Sequence, residues 1–482
     1  MGKKSSLTTN FLYNTLYQIL ILILPLVTTP YISRVLGAEN VGINSYCNAV
    51  SHVFMIVGML GVKNYGNRSI AEKGDNRYER SKAFWSIYFF QLITSVIAVV
   101  IYSVYIFAFC DTDVEIAIIY IFYVVSAAFD ISWLFFGLEK FKLTVIRNVV
   151  VRLIGVICTF IFVRDSGDLA IYSVIKVGTI LLSFLVLFPF LRKEVDFVKP
   201  SLKDMKAHII PNLVLFVPVI AINVYKYMDK IMLGAMTDKI QNGMYESTET
   251  ILRVPNSIIT AFGTVMMPRM SSLIAQNKEA KSNEYIRNSF VIISFLSCGM
   301  AFGLAAVAAD FVPVFFGKGY DDCKVLIPLI APTTIFVSWA NVIRTQYLIP
   351  RKKDKSYIIS VIIGAVVNFA FNLILIGRYG AKGAVIGTIL AEASVCVIQS
   401  LVVRKDIGLG KPLAQSAPFL VFGAVMYLCL KLMANMLPLG GKLMIVIQVA
   451  VGIIIFSALS AIYLKAIHHP LFEKGLAKLN RK

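Results

Sequence analysis

Apolar runs of about one bilayer crossing recur fourteen times along this chain, at 11–33, 41–63, 84–109, 115–137, 144–163, 168–190, 209–232, 243–268, 288–309, 325–347, 357–377, 382–403, 414–435 and 443–465. A hydrocarbon core about 30 Å thick takes about 20 apolar residues of helix to cross, and backbone in lipid must satisfy its hydrogen bonds internally. Each run therefore reads as a spanning helix, and the expected fold class is all-α, a polytopic membrane protein with 14 transmembrane helices. With 58% hydrophobic and 15% charged residues, a water-soluble fold of this size is excluded. The first run carries no charge from Ser5 to Ser33, which is long enough to span and reads as a helix, not a cleaved leader.

The distribution of charge tests this division separately from hydropathy. With the N-terminus inside, and with Lys63, Arg147, Lys382 and Lys465 near the span ends counted in the adjoining loops, the tails and inner loops hold 32 Lys and Arg, the outer loops 8, and the spans the remaining seven of the 47. Such asymmetry is the positive-inside pattern, so both termini are expected in the cytoplasm. The formal charge of +20 thus belongs to membrane topology and does not point to nucleic acid. The seven cysteines, at 47, 110, 158, 298, 323, 396 and 429, show neither pairs nor CxxC spacing and read as small packing residues.

An internal repeat divides the chain. RVLGAENVGINSY from Arg34 is answered by KIMLGAMTDKIQNGMY from Lys230, and VGTILL at Val177 by IGTILA at Ile386. Duplication of a six-helix unit follows, with an N-terminal lobe at 1–190, a basic cytoplasmic linker at 191–208, a second lobe at 209–403 related to the first by a pseudo-two-fold, and two extra helices with a tail at 404–482. Pro25 and Pro30 in span 1 and Pro211 and Pro218 in span 7 occupy matching spans. Proline removes a backbone donor and bends a helix, so these four are candidate gating positions; the plainer reading is the general frequency of proline in membrane helices.

No phosphate-binding loop is present, since GKG at 317–319 and GLGK at 408–411 lack the preceding glycine. His52, His208, His468 and His469 are isolated or at cytoplasmic ends, so no nucleophile has a base, and neither cofactor nor metal is implied. Ionisable groups inside spans are costly and become the candidates. Arg253 lies about ten residues into span 8, four after Glu249, on the same helix face. Either the two form a self-neutralising structural pair, or Glu249 holds a guanidinium offered to an anionic substrate. Lys226, Asp229 and Lys230 share a face near the outer end of span 7, where lysines can also snorkel. Arg34 sits at the outer end of span 1, and Arg147 and Arg152 in the inner half of span 5. Lys176 is deep in span 6; Asp130 in span 4 and Glu392 in span 12 are acids suited to a coupling proton or to balancing a nearby cation. Asn14, Asn44, Asn48, Asn223, Asn368 and Asn372 offer amides to sugar hydroxyls, or bond between helices as Asn more often does in membranes.

TTPYISRVLGAENVGINSY in the first hairpin, FDISWLFFGLEKFK at 129–142 and MYESTETILRVPNSIITAFGTVMMPRMSSL at 244–273 resemble the Wzx-type oligosaccharide flippases, a branch of the multidrug/oligosaccharidyl-lipid/polysaccharide exporter superfamily. The resemblance covers essentially the whole chain. It implies a V-shaped pair of lobes around a cavity lined by spans 1, 2, 7 and 8, in a bacterial plasma membrane. The implied cargo is a polyprenyl-pyrophosphate-linked repeat unit of O-antigen, capsule or a similar glycan, moved from inner to outer leaflet. Implied partners are membrane lipids, a glycan polymerase and a chain-length regulator. By similarity to lipid II flippases, Arg253 and Arg34 best fit a pyrophosphate-binding role, although Glu249-Thr250 stands where a basic residue is expected one turn before Pro255. A cation-coupled drug exporter would show an acidic cavity, against the intramembrane cations 152, 176, 226, 230, 253, 344 and 431. A lipid II-type flippase stays open, whereas a glycan polymerase would need a long outer loop and a channel a filter-like ring.

Overall fold

A computed structural model describes residues 7–74, 76–110, 112–437, 440–470 and 472–473, with side chains from Ile23 onward except Pro218. The chain forms two compact units, Met1–Gly243 and Met244–Lys482. In the first lie α1 (Leu7–Met59), α2 (Val62–Lys73), α3 (Arg77–Phe109), α4 (Val114–Ile119), α5 (Ile121–Phe129), α6 (Ser132–Gly137), α7 (Phe141–Phe162), α8 (Leu169–Leu185), α9 (Phe188–Leu191), α10 (Leu202–Ala207) and α11 (Ile209–Met236). Then α12 (Lys239–Ala275) starts in the first unit and continues into the second. There it is followed by α13 (Glu279–Phe315), α14 (Cys323–Ile330), α15 (Thr333–Ile343), α16 (Asp354–Tyr379), α17 (Ala381–Ile407), α18 (Gly410–Met436) and α19 (Gly441–Ala466). Among the described residues there is no strand.

Twelve of these segments are long and apolar enough to cross a membrane, or thirteen with the bent pair Leu202–Val217 and Val219–Met236, which meet at 45°. The expected fourteen crossings are therefore not established one by one. The difference lies in α1, where expected spans 1 and 2 follow each other across a kink with no loop of several residues between them. The expected loop between those spans is helical except at Gly37, whose φ of 77° lies in the left-handed region that side chains with a Cβ avoid. One glycine thus divides the helix where sequence placed several residues of loop. The helix runs unbroken through Pro25 and Pro30. Pro211 lies in the first turn of α11, where a missing N–H leaves no gap in the helical ladder, so it does not interrupt span 7 as expected. The bend in that span falls between Val217 and Val219; the side chain of Pro218 is outside the described residues, as is that of Asn14.

Expected span 4 is three short helices, and the break explains part of the FDISWLFFG motif. Asp130 and Ile131 leave helical geometry, which would strand carbonyls in the apolar interior. Gln91 of α3 resolves this: its amide donates to Ala127 O at 2.6 Å and Asp130 O at 3.1 Å, while its carbonyl accepts from Trp133 Nε1 at 3.0 Å. Trp133 is fully buried, stacks on Phe84, and lies so close to α2 that a Cβ on Gly66 would stand 2.5 Å from its ring. Replacing Gln91 with Leu is expected to lower stability by about 2–4 kcal/mol, because three buried groups lose their partner at about 1 kcal/mol each or more. Thermal unfolding of the detergent-solubilised protein checks this, and a fall no larger than that from a substitution at lipid-exposed Val96 would refute it.

At the cytoplasmic ends expected from topology, each unit carries a charged clasp. In the first, Lys140 pairs with Glu194, and Arg77 binds Asp196 through two contacts at 2.6 and 2.8 Å. The guanidinium of Arg77 holds the Asp196 carboxyl below the usual carboxylate range. In the second, Lys353 bonds Asp406 at 3.1 Å and Tyr347 OH at 3.0 Å, while Tyr347 also donates to Asp406. Its bond with the tyrosine hydroxyl raises the Lys353 amine above its ordinary value. In both, a lysine just after one bundle helix meets an acid at the end of another, tying helix ends that apolar packing alone leaves free to splay. Much of 64–83 and 269–287, the segments between expected spans 2 and 3 and between spans 8 and 9, is helix.

Candidate functional site

Two groups of polar side chains inside spans include expected site residues, one in each unit. In the first, Asn44 on α1, beyond the break at Gly37, is the hub. Its Nδ2 donates to Ser173 Oγ at 3.0 Å, and its Oδ1 accepts from Lys176 Nζ at 2.7 Å. Lys176 also lies 5.9 Å from the centre of the Tyr172 ring. A half-buried ammonium seven residues into α8 is far from either end of its helix, so lysine and amide stabilise each other where neither could be solvated by lipid. Two turns further along α1, His52 Nδ1 lies 2.7 Å from Tyr123 OH on α5, and the imidazole packs against the Tyr227 ring of α11 at 4.3 Å. Lys230 stands over that same Tyr227 ring at 5.7 Å. Spacing on α11 placed Lys226, Asp229 and Lys230 on one face; Asp229 and Lys230 are buried, 5% exposed each, whereas Lys226 is exposed.

In the second unit Arg253 of α12 is held by two carboxylates of its own helix. Its Nη2 donates to Glu246 Oε1 at 2.8 Å and reaches Glu249 Oε2 at 3.4 Å. Positions 246, 249 and 253 fall at i, i+3 and i+7 of one face, so the trio is local in origin. Around the half-exposed guanidinium, 49% exposed at its side chain, the two carboxylates leave a net charge of −1. On the same helix Tyr245 OH contacts Thr388 Oγ1 of α17 at 3.0 Å, and Asn372 donates to Asn368 at 3.2 Å within α16, both asparagines being buried.

The other expected residues are dispersed. Arg34 is exposed, three residues before the break at Gly37. Arg147 is buried, with Nη2 on Asn148 Oδ1 at 2.7 Å and its guanidinium 5.9 Å from the Phe184 ring centre, while Arg152 on the same helix is exposed. Asp130 is buried at the break in span 4, where its Oδ1 accepts from Ser132 N at 3.0 Å, a capping role. Glu392 is half-buried on α17.

Two participants escape a reading of sequence alone. Glu246 is one, although its i+7 relation to Arg253 was there to be read. His52 is the other: it looked isolated because its partners lie 71 and 175 positions away, and no local spacing signals such contacts.

A family profile described as polysaccharide biosynthesis protein matches residues 7–274. A protein of Escherichia coli K12 assigned as an O-antigen transporter is 25% identical over 407 residues, covering 84% of this chain and 98% of that protein. Among solved structures, lipid II flippase MurJ in an inward closed conformation matches with a TM-score of 0.77 at 13% identity, over 96% of this chain and 100% of that one. An inward-facing multidrug resistance MATE family transporter of the MOP superfamily matches with a TM-score of 0.62 at 14% identity, over 81% and 94%. At such identities the two structures establish a shared all-helical membrane fold.

Proposed function

The chain belongs to the polysaccharide biosynthesis protein family, and from that premise we propose that it flips polyprenyl-pyrophosphate-linked oligosaccharide repeat units from the inner to the outer leaflet of a bacterial plasma membrane, for cell-surface polysaccharide such as O-antigen or capsule. It is a multi-pass transporter and not an enzyme, as its O-antigen transporter relative is. The observation that carries the reading is the mid-span cation Lys176, engaged by Asn44 within apolar helices. An ammonium at that depth is costly in lipid, and an anionic head group that must cross the same depth supplies the reason to keep it.

In this reading Arg253 is the principal pyrophosphate ligand, because a guanidinium offers a planar fork to phosphate oxygens. Glu246 and Glu249 hold it between cargoes, and the incoming phosphates displace them. Arg34, Lys226, Lys230 and Lys176 line the path, with Arg147 and Arg152 receiving the head group on the cytoplasmic side. Asp130, Asp229 and Glu392 balance charge or carry a coupling ion; Pro25, Pro30, Pro211 and Pro218 serve as gating positions in alternating access. The lobes comprise 1–190 and 209–403, joined by the basic linker 191–208 and followed by two further helices in 404–482. Both termini face the cytoplasm, supported by the charge asymmetry of the loops. A glycan polymerase and a chain-length regulator take over the product.

Deleting the gene in its host tests this. Surface polysaccharide should disappear while lipid-linked repeat units accumulate on the cytoplasmic leaflet. Normal surface glycan with heightened sensitivity to cationic drugs would instead establish a drug exporter, and accumulation of lipid II a peptidoglycan-precursor flippase.

A further inference from the structure

His52 lies well inside the span, about 22 Å along α1 from the break at Gly37 and nine residues before the turn at Gly61. Its surroundings come from three helices. Tyr123 of α5, 6% exposed, meets Nδ1 at 2.7 Å. On α11, Tyr227 packs on the ring at 4.3 Å, Lys230 stands over that tyrosine at 5.7 Å, and Lys226 and Lys230 act on the imidazole through their charge. Lys63, beyond the end of its own helix, acts in the same way, while the Asp229 carboxylate lies on α11 beside Lys230.

Histidine is the side chain whose ordinary titration falls near neutral pH. Neutral imidazole has one donor and one acceptor; the protonated ring has two donors. Protonation therefore fixes the direction of the contact with Tyr123, whose hydroxyl must then accept. It also adds a positive charge to a patch already holding Lys226 and Lys230. An anion docking there stabilises the charged imidazole, since opposite charge within about 4–6 Å favours the ionised form. By linkage, the proton must then strengthen anion binding by the same factor.

We propose that His52 is a protonation site at which a proton and the pyrophosphate head of the lipid carrier bind cooperatively. The proposal rests on the flippase reading above. The sugar plays no part in it, so the bare carrier is a sufficient probe.

Binding of undecaprenyl pyrophosphate to the full-length protein in nanodiscs, measured at pH 8.0 and pH 5.5, tests it with His52→Gln alongside. Glutamine keeps a donor and an acceptor for Tyr123 but does not titrate. Titration of the lipid's own phosphates is common to both proteins, so the informative quantity is the ratio of wild-type to variant affinity. That ratio should rise about tenfold from pH 8.0 to pH 5.5, and an unchanged ratio overturns the proposal. Should the variant fold poorly, nitrogen NMR of wild-type protein labelled at its four histidines gives the same answer. One imidazole should titrate at higher pH with the lipid bound than without it, and midpoints unmoved by the lipid overturn the cooperativity. Failure of the wild type to bind the lipid at either pH would bring down the flippase reading together with this one, whereas binding with no His52 dependence removes only the latter.

Discussion

Arg253→Ala is expected to lower glycan export about a hundredfold or more while the protein persists in the membrane at normal abundance. The two halves of that expectation have separate causes. A guanidinium bound to phosphate in a partly desolvated site contributes about 3 kcal/mol or more, and each 1.4 kcal/mol is a factor of ten. Truncation also leaves Glu246 and Glu249, one turn apart on α12, facing an anionic cargo with nothing to neutralise them. Stability should change little, because an ion pair half-exposed at its arginine contributes at most about 1 kcal/mol to the fold. Export is read as polysaccharide on the surface of cells expressing each variant, and abundance by quantitative immunoblot of membranes. Arg253→Lys should recover part of the activity, since it restores charge without the bidentate fork. Full export by the alanine variant would remove Arg253 from the site, and loss of the protein would make the trio structural.

The second large effect concerns folding. Gly42 of α1 and Gly243 of α12 lie where two helix backbones all but touch: a Cβ on Gly42 would stand 1.8 Å from Lys239 O, and one on Gly243 1.9 Å from Ala38 O. Asn242 Nδ2 closes the crossing by donating to Gly42 O at 3.0 Å, and Lys239 lies 4.2 Å from the centre of the Tyr46 ring. With no Cβ, such pairs let helices in membranes gain dispersion contacts that lipid cannot replace. Even Gly42→Ala must separate the helices by more than 1 Å and break that hydrogen bond, a cost of about 3 kcal/mol or more. Little folded protein is expected in the membrane. Gly178→Ala on α8 is the control, because nothing lies within 4 Å of its added Cβ, and its thermal midpoint should be unchanged or slightly higher. Equal stability of the two variants would show that the crossing yields without cost.

The class of fold was legible because a bilayer imposes a length and a composition on every crossing, and runs such as 288–309 and 443–465 fall within α13 and α19. Arg253 and Glu249 were legible for a similar reason, since i+4 spacing fixes contact along any helix. Loops were not. Residues 34–40 looked like a connection because Arg34, Glu39 and Asn40 interrupt the apolar run, yet such residues are compatible with helix, and only the backbone shows that Gly37 alone breaks it. His52 was passed over because its partners sit on two other helices, and the side of a helix that meets a neighbour is set by packing, not by neighbours in sequence.

The two Leu-Gly-Ala segments mark the boundary between these kinds of knowledge. Their recurrence at Leu36 and Leu233 is visible without any coordinates. Yet Gly37 is needed for its positive φ, whereas Gly234 sits in an ordinary helix and makes room for Tyr46, whose ring would stand 2.2 Å from an added Cβ. Hydropathy, loop charge and helical spacing follow from the covalent order of residues and the solvent around them, so they can be read from the chain. Which glycine turns, which one packs, and which histidine meets which tyrosine depend on contacts between residues far apart in sequence, and those exist only once the helices have packed.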